Sequence, residues 1–279
     1  MAPRTPPITA FQGKGAFVTG AASGIGFALS EALVRRGANV MMADIDQARL
    51  EQARDRLGHR AECVVCDVSD PGSVEAAAAK TIEAFDKVHL LFNNAAVSVT
   101  GTVGDIPMED WHWAVGINLM GVLYGVEAFT PLMLAHGEGG HIVNTSSMAG
   151  HSAPPRALSY AATKFAVVGL SESLRLDLKG DGIGVSVLCP GWVATEFYRT
   201  ETLRPSGPLP AASAMEHPDV LDSAKLMSRG ISASQVAELT LNSILLNRSH
   251  IFTSPDARFL IDHRHKVLTT NYDACLAEI

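Results

Sequence analysis

Thr19-Gly20-Ala21-Ala22-Ser23-Gly24-Ile25-Gly26 puts three glycines in eight residues, directly after the apolar run Ala16 to Thr19. A helical pattern of Ile25, Leu29, Leu33 and Val34 follows to Arg36, and Gly37 stops it. This is strand, turn, helix, and the alternation continues outward. Strands are expected at Asn39 to Ala43, Glu62 to Val65, Val88 to Phe92, His141 to Asn144, Gly184 to Leu188 and His250 to Thr253. Between them lie a polar helix carrying Ala48, Leu50, Ala53 and Leu57, an alanine-rich helix from about Ser73 to Phe85, and a long helical segment through Asn118 to about His136. A further helix carries Tyr160 and Lys164, and Ser232 to Gln235 forms a capping box for one more. Strands that are nearly all apolar and alternate with helices imply a parallel sheet covered on both faces. The expected fold class is α/β, a single-domain, Rossmann-like, doubly wound sheet of about seven strands.

The composition agrees with a buried sheet: 47% of the 279 residues are hydrophobic and 18% are charged. A net charge of −7 with scattered basic residues lacks the footprint of a nucleic-acid binder. No stretch reaches about 18 uninterrupted apolar residues, so no membrane span is expected, and the N-terminus has no continuous apolar run of the signal-peptide kind. A cytoplasmic protein is the expectation. Residues 1–11, with prolines at positions 3, 6 and 7, read as a mobile arm; 12–255 read as the catalytic domain, with a variable lid at about 192–230, and 256–279 as a tail. Cys63 and Cys66 lie at i and i+3 of a strand, where side chains face opposite sides of the sheet. They read as packed strand cysteines, and no metal is expected.

The glycines let backbone approach a pyrophosphate, whose charge is stabilised by free N–H groups and the positive end of the helix dipole. Gly20, Ser23, Gly24, Ile25 and Gly26 are therefore candidate dinucleotide contacts, on a spacing other than the commoner GxGxxG. Asp44, 18 positions after Gly26 and at the end of the second strand, can accept hydrogen bonds from an adenosine ribose and would repel a 2′-phosphate. Neither Ala22, Ser23 nor Ile45 supplies an offsetting positive charge, so NAD is favoured over NADP. Asp44 could instead cap the following helix, but Asp46 is the better capping candidate.

In Ser159-Tyr160-Ala161-Ala162-Thr163-Lys164 the phenol and the ammonium are four residues apart on one helix face. A tyrosine acting as a base near neutral pH must fall by roughly two to three units from a pKa near 10, and a neighbouring ammonium, aided by the positive nicotinamide ring of the cofactor, pushes in that direction. Thirteen residues earlier a strand ends at Ser147, whose hydroxyl can hold a substrate oxygen close to the tyrosine. YxxxK alone is weak evidence. With the serine, the glycine turn and the order of elements it becomes a constellation.

From about residue 12 to 255 the chain resembles the short-chain dehydrogenase/reductase family. Thr19 to Gly26 match its TGxxxGxG, and Asn93-Asn94-Ala95-Ala96 its NNAG, with Ala96 where glycine is usual. The resemblance implies an adenine-side contact at Asp67 and Val68, cofactor contacts at Asn94, Ala95 and Ala96, and a tetrad of Asn118, Ser147, Tyr160 and Lys164. In that tetrad Asn118 would hold a water linking the lysine to solvent, and Tyr160 and Lys164 also touch cofactor. Pro190-Gly191-Trp192-Val193-Ala194-Thr195 matches PGxVxT, which implies nicotinamide contacts at Pro190, Gly191, the Val193 backbone and the Thr195 hydroxyl. The substrate pocket it implies is built from Ser147, Met148, His151, Tyr160, Trp192 and Phe197, with Tyr198 and Met215 as further candidates. Such a cleft suits a hydrophobic secondary alcohol or its ketone, cyclic or aromatic. The tail is faintly similar to tails of bacterial dehydrogenases acting on bulky aromatic alcohols, and a homodimer or homotetramer is implied. The alternatives are an NADPH-dependent reductase of 3-oxoacyl thioesters or other carbonyls and, outside enzymes, a nucleotide-sensing protein on the same fold. A methyltransferase would not need Ser147, Tyr160 and Lys164 in register.

Overall fold

The structure is a computed structural model that describes residues 8–207 and 225–278. Seven parallel strands form one sheet in the order β3-β2-β1-β4-β5-β6-β9. These are β1 (Gly15–Thr19), β2 (Asn39–Asp44), β3 (Ala61–Val65), β4 (Leu90–Asn93), β5 (Gly140–Thr145), β6 (Ile183–Cys189) and β9 (His250–Phe252). A separate short pair joins β7 (Val193–Ala194) to β8 (Ile231–Ser232) beside the sheet. The strand order reverses between β1 and β4, and the crevice beyond their carboxyl ends is where open α/β sheets bind ligands.

Helices cover both faces. On one, α1 (Gly24–Arg35) and α7 (Ala233–Leu245) bury Leu29, Leu33, Val236, Leu241 and Ile244 against Val18, Val40 and Leu90. On the other, α3 (Pro71–Phe85) and α5 (Gly121–His136) bury Val74, Ala77, Val126, Phe129 and Met133 against Phe17, Met41 and Leu91. Cys63 packs with the first layer and Cys66 belongs to the second, so the pair faces opposite sides of the sheet. The remaining helices are α2 (Gln47–Asp55), α4 (Met108–Val115), α6 (Leu158–Asp177) and α8 (Arg258–Leu276). Two local readings are met: Asp46 caps α2 by accepting from the Arg49 N–H at 3.1 Å, and Ser232 and Gln235 close a capping box on α7.

Three boundaries differ from the sequence reading. Ile8 and Phe11 are buried in the first core layer, and the Arg36 guanidinium lies 5.4 Å from the Phe11 ring centroid, so packed chain begins before residue 12. Two apolar side chains suffice to dock a segment whose prolines suggest an arm. Second, the continuous helical run Met108–His136 is long and apolar enough to cross a bilayer by length and composition. Polar residues such as Asn118 and Glu127 interrupt its apolar sequence, and Gly121, Val122, Gly125, Val126, Phe129 and Met133 pack it onto the protein core. Third, the tail is a helix: α8 has no buried residue, and it meets the domain through its first turns, with Arg264 over the Phe165 ring at 5.1 Å.

Candidate active site

The glycine turn leaves β1 through residues of left-handed backbone, Gly20 (φ +64°) and Gly24 (φ +54°). A Cβ on Gly26 would lie 2.2 Å from the Gly20 carbonyl oxygen, so helix and turn close only on glycine. Ser23 stands at the N-cap of α1, yet its side chain makes no capping hydrogen bond. The first-turn N–H groups of a 12-residue helix thus keep their claim on an anion. Asp44 braces the turn: Oδ2 accepts from the Ala22 N–H at 3.0 Å and Oδ1 from the Asp46 N–H at 3.1 Å. Both oxygens retain lone pairs for a further donor. Across the crevice, the Thr19 hydroxyl accepts from the N–H groups of Asn94 (2.8 Å) and Ala95 (2.9 Å), fixing that segment to β1.

A cleft of about 480 Å³ runs along this edge, of a size suited to a ligand. At one end are Asp44, Ile45, Asp46 and Arg49; Gly20, Ser23, Gly24, Ile25, Asn94, Ala95 and Ala96 form the middle; Ser147, Tyr160, Lys164, Pro190, Gly191, Val193, Thr195 and Phe197 stand at the other. Uncapped helix N-terminus, glycine turn and the Asp44 carboxylate at the strand end together fit a dinucleotide.

At the far end the catalytic candidates converge. Tyr160 and Lys164 project from α6, with the Lys164 Nζ 5.5 Å from the Tyr160 ring centroid and donating to the Thr145 carbonyl at 3.0 Å. Ser147, just past β5, lies beside Tyr160, its hydroxyl donating to the Pro190 carbonyl at 3.4 Å and accepting from the Ala149 N–H at 3.1 Å. Asn118 is fully buried in a π-helical turn, Gly116–Met120, between α4 and α5. Its Oδ1 accepts from the Val97 N–H at 2.8 Å, and its Nδ2 donates to the Val97 carbonyl at 2.9 Å and to Thr163 Oγ1 at 3.4 Å. It therefore ties α6, one residue from Lys164, to the cleft wall at Val97.

Burial pushes the Tyr160 phenol up to about 12, opposed by the Ser147 hydroxyl, and burial pulls the Lys164 ammonium down to about 7. Both groups are enclosed, so desolvation penalises the charged form of each before their attraction can act.

Several residues implied by the resemblance are not in the cleft wall, as far as the described residues go. The Asp67 carboxylate turns back to the N–H (2.9 Å) and hydroxyl (2.7 Å) of Ser69, and buried Val68 lies against Gly121. Gly26 acts through closure of the turn. Met148 is buried, and His151 points away, with Nε2 3.2 Å from Cys189 Sγ and its ring 5.2 Å from Phe252. Trp192 is exposed, and its backbone crowds Gly230. Tyr198 is engaged with Arg199, and Met215 lies outside the described residues. Of the aromatic candidates Phe197 faces the chemistry, its ring 5.9 Å from that of Tyr160.

Sequence reasoning missed Arg49, Val97, Thr145, Ser146, Glu196, Arg199, Thr200, Leu203 and Met227, which also line the cleft. It also missed the fastening of the segment above them. Arg204 donates to Asp110 Oδ2 at 2.6 and 2.8 Å, and the Ser206 hydroxyl donates to the same oxygen at 2.7 Å, in a pair buried on both sides.

A sequence profile described as short chain dehydrogenase matches residues 14–205. The chain belongs to the short-chain dehydrogenase/reductase family. It is an oxidoreductase of that family, of the class acting on CH–OH groups. A short-chain dehydrogenase/reductase from Burkholderia phymatum, solved in complex with NAD, is 38% identical, with a TM-score of 0.90 over 95% of this chain and 97% of that one. A relative named CLA biosynthesis dehydrogenase/reductase, from Lactiplantibacillus plantarum, is 32% identical over 94% of this chain and 95% of its own length. The structure of a 3-ketoacyl-(acyl-carrier-protein) reductase from Brucella melitensis, complexed with NADH, is 26% identical with a TM-score of 0.72, covering 89% of this chain and 93% of that one.

Proposed function

We propose that this short-chain dehydrogenase/reductase interconverts a hydrophobic secondary alcohol and its ketone with NAD, Tyr160 moving the hydroxyl proton. The observation that carries the reading is one continuous cleft with Asp44 at one end and the Ser147–Tyr160–Lys164 cluster at the other. Asp44 supports NAD, because a carboxylate held in place by two backbone N–H groups repels a 2′-phosphate. The relative solved with NAD supports the same cofactor.

A bound nicotinamide supplies the hydride acceptor or donor, and in its oxidised form a positive charge. The chain's own groups do the rest. The Ser147 hydroxyl orients the substrate oxygen, and the Tyr160 phenol takes its proton in oxidation or gives it in reduction. A phenol held up near 12 by burial needs a cation beside it to ionise, and Lys164 at about 7 can hold or release a proton near neutrality. Pro190 to Thr195 would line the nicotinamide end, with Gly20 to Ile25 under the phosphates. Phe197, Leu203 and Met227 give the substrate end its apolar, partly aromatic wall. A ring-containing substrate fits such a wall better than a polar one. The rival, reduction of a 3-oxoacyl thioester with NADPH, draws on the likeness to the ketoacyl reductase, and Asp44 opposes its cofactor. We further propose a cytoplasmic homo-oligomer.

The test is fluorescence titration with NADH and with NADPH, followed by a screen of secondary alcohols with NAD. NADH should bind tighter than NADPH, and Tyr160→Phe should abolish turnover while leaving NADH affinity nearly intact. Retained turnover in that variant, or preference for NADPH, would overturn the reading.

A further inference from the structure

The segment from Thr195 to Ser206 forms a strap over the cleft, fastened unequally at its two ends. Its far end is locked by the buried Arg204–Asp110 pair, and its middle is pinned by the Ser98 N–H donating to Thr200 Oγ1 at 2.9 Å. The near end lies over the glycine turn, where a Cβ on Gly24 would come within 3.3 Å of the Thr195 methyl. There Glu196 reaches across to Arg49 in the first turn of α2, Nη2 to Oε2 at 3.4 Å, both side chains about half exposed. Both residues line the cleft, Arg49 close in sequence to Asp44, Ile45 and Asp46, and Glu196 between Thr195 and Phe197.

The Arg49 contact is long and through one nitrogen only, which leaves Nε and Nη1 without a partner among the described residues. Glu196 has a second cation: Arg199 Nη2 lies 3.1 Å from its Oε1. If Arg49 turns away, the Glu196 carboxylate keeps a counter-charge, so the exchange costs little. A guanidinium prefers a bidentate phosphate to one long contact with a half-exposed carboxylate.

We propose that Glu196 is a cofactor-specificity residue: by holding Arg49, it withholds the arginine that lines the cleft beside Asp44 and Asp46 from a phosphate on the adenosine 2′-position. Discrimination against NADP then has two parts, repulsion from Asp44 and sequestration of Arg49 by the strap. The proposal rests on the dinucleotide reading of the cleft.

The experiment is titration of wild type, Glu196→Gln, Arg49→Gln and the double variant with NADH and NADPH, as a double-mutant cycle. Glu196→Gln should tighten NADPH binding roughly three- to ten-fold more than NADH binding, the scale of an exposed ion pair gained. In the Arg49→Gln background that selective gain should vanish. A gain equal for both cofactors, or one that persists without Arg49, would mean that Glu196 acts as general negative charge and would sink the proposal. Failure of wild type to bind either cofactor would instead remove the dinucleotide reading beneath it.

Discussion

Burial pulls the Lys164 ammonium from its ordinary 10.5 down to about 7, so between those values the unfolded chain holds a proton that the folded chain does not. Stability contributed by this residue therefore rises with pH from about 7 to 10.5, and below about 7 the full desolvation cost is present. Each unit is worth about 1.4 kcal/mol, so the cost reaches a few kcal/mol at neutral pH. Lys164→Met removes it and should be inactive yet more stable. The melting-temperature gap to wild type should widen as pH falls from 10 to 7 and then level off, which thermal melts across that range check. A gap independent of pH would mean that Lys164 is well solvated in the folded chain. The same residue shows how far sequence carried: spacing placed Tyr160 and Lys164 together, but their charge states follow from enclosure by residues far away in the chain. Asp44 was legible because a strand end following a glycine turn has few uses for a carboxylate.

At the scale of elements, what was legible was what local chemistry specifies: the glycine turn, the Asp46 cap and the Ser232 capping box. The start of α3 lies at Pro71, two residues before the expected Ser73, because Asp70 caps it and proline suits a first helical position. The strap was not, because its fastenings join residues 94 apart (Asp110 to Arg204) and 147 apart (Arg49 to Glu196), with no spacing to betray them. The placing of Met148, His151 and Trp192 was out of reach for a related reason: which way a loop side chain turns depends on its neighbours, here Cys189 and Phe252 for His151. Asp110→Asn removes the carboxylate charge from the buried Arg204–Asp110 pair, which should cost about 3–5 kcal/mol, read as a lowered melting temperature. With the strap's firm end undone, Phe197 is no longer held beside Tyr160. KM for the alcohol should therefore rise several-fold, while NADH affinity, set mainly by the glycine turn and Asp44, changes less. An unchanged KM would show that the strap does not shape the substrate end.

For the whole molecule, the two core layers and the seven-strand sheet are complete without α8: none of its residues is buried, and Phe259, Val267, Leu268, Tyr272 and Leu276 are exposed along it. A 19-residue helix whose packing is confined to its first turns, around half-buried Leu260 and Ile261, draws little stability from propensity alone, so its removal takes little from the subunit. The contact it does make, Arg264 over Phe165, is a cation over an aromatic ring near the surface, worth well under the cost of a core side chain. A chain ending at Ser254 should therefore fold, bind NADH with unchanged affinity, and melt within about 2–4 °C of the full chain at low protein concentration, the shift that a loss of about 1 kcal/mol produces at this size. Melting and fluorescence titration of the two chains side by side decide the matter. A drop well beyond that range, or loss of NADH binding, would mean that α8 completes the fold through contacts beyond Arg264 and Phe165.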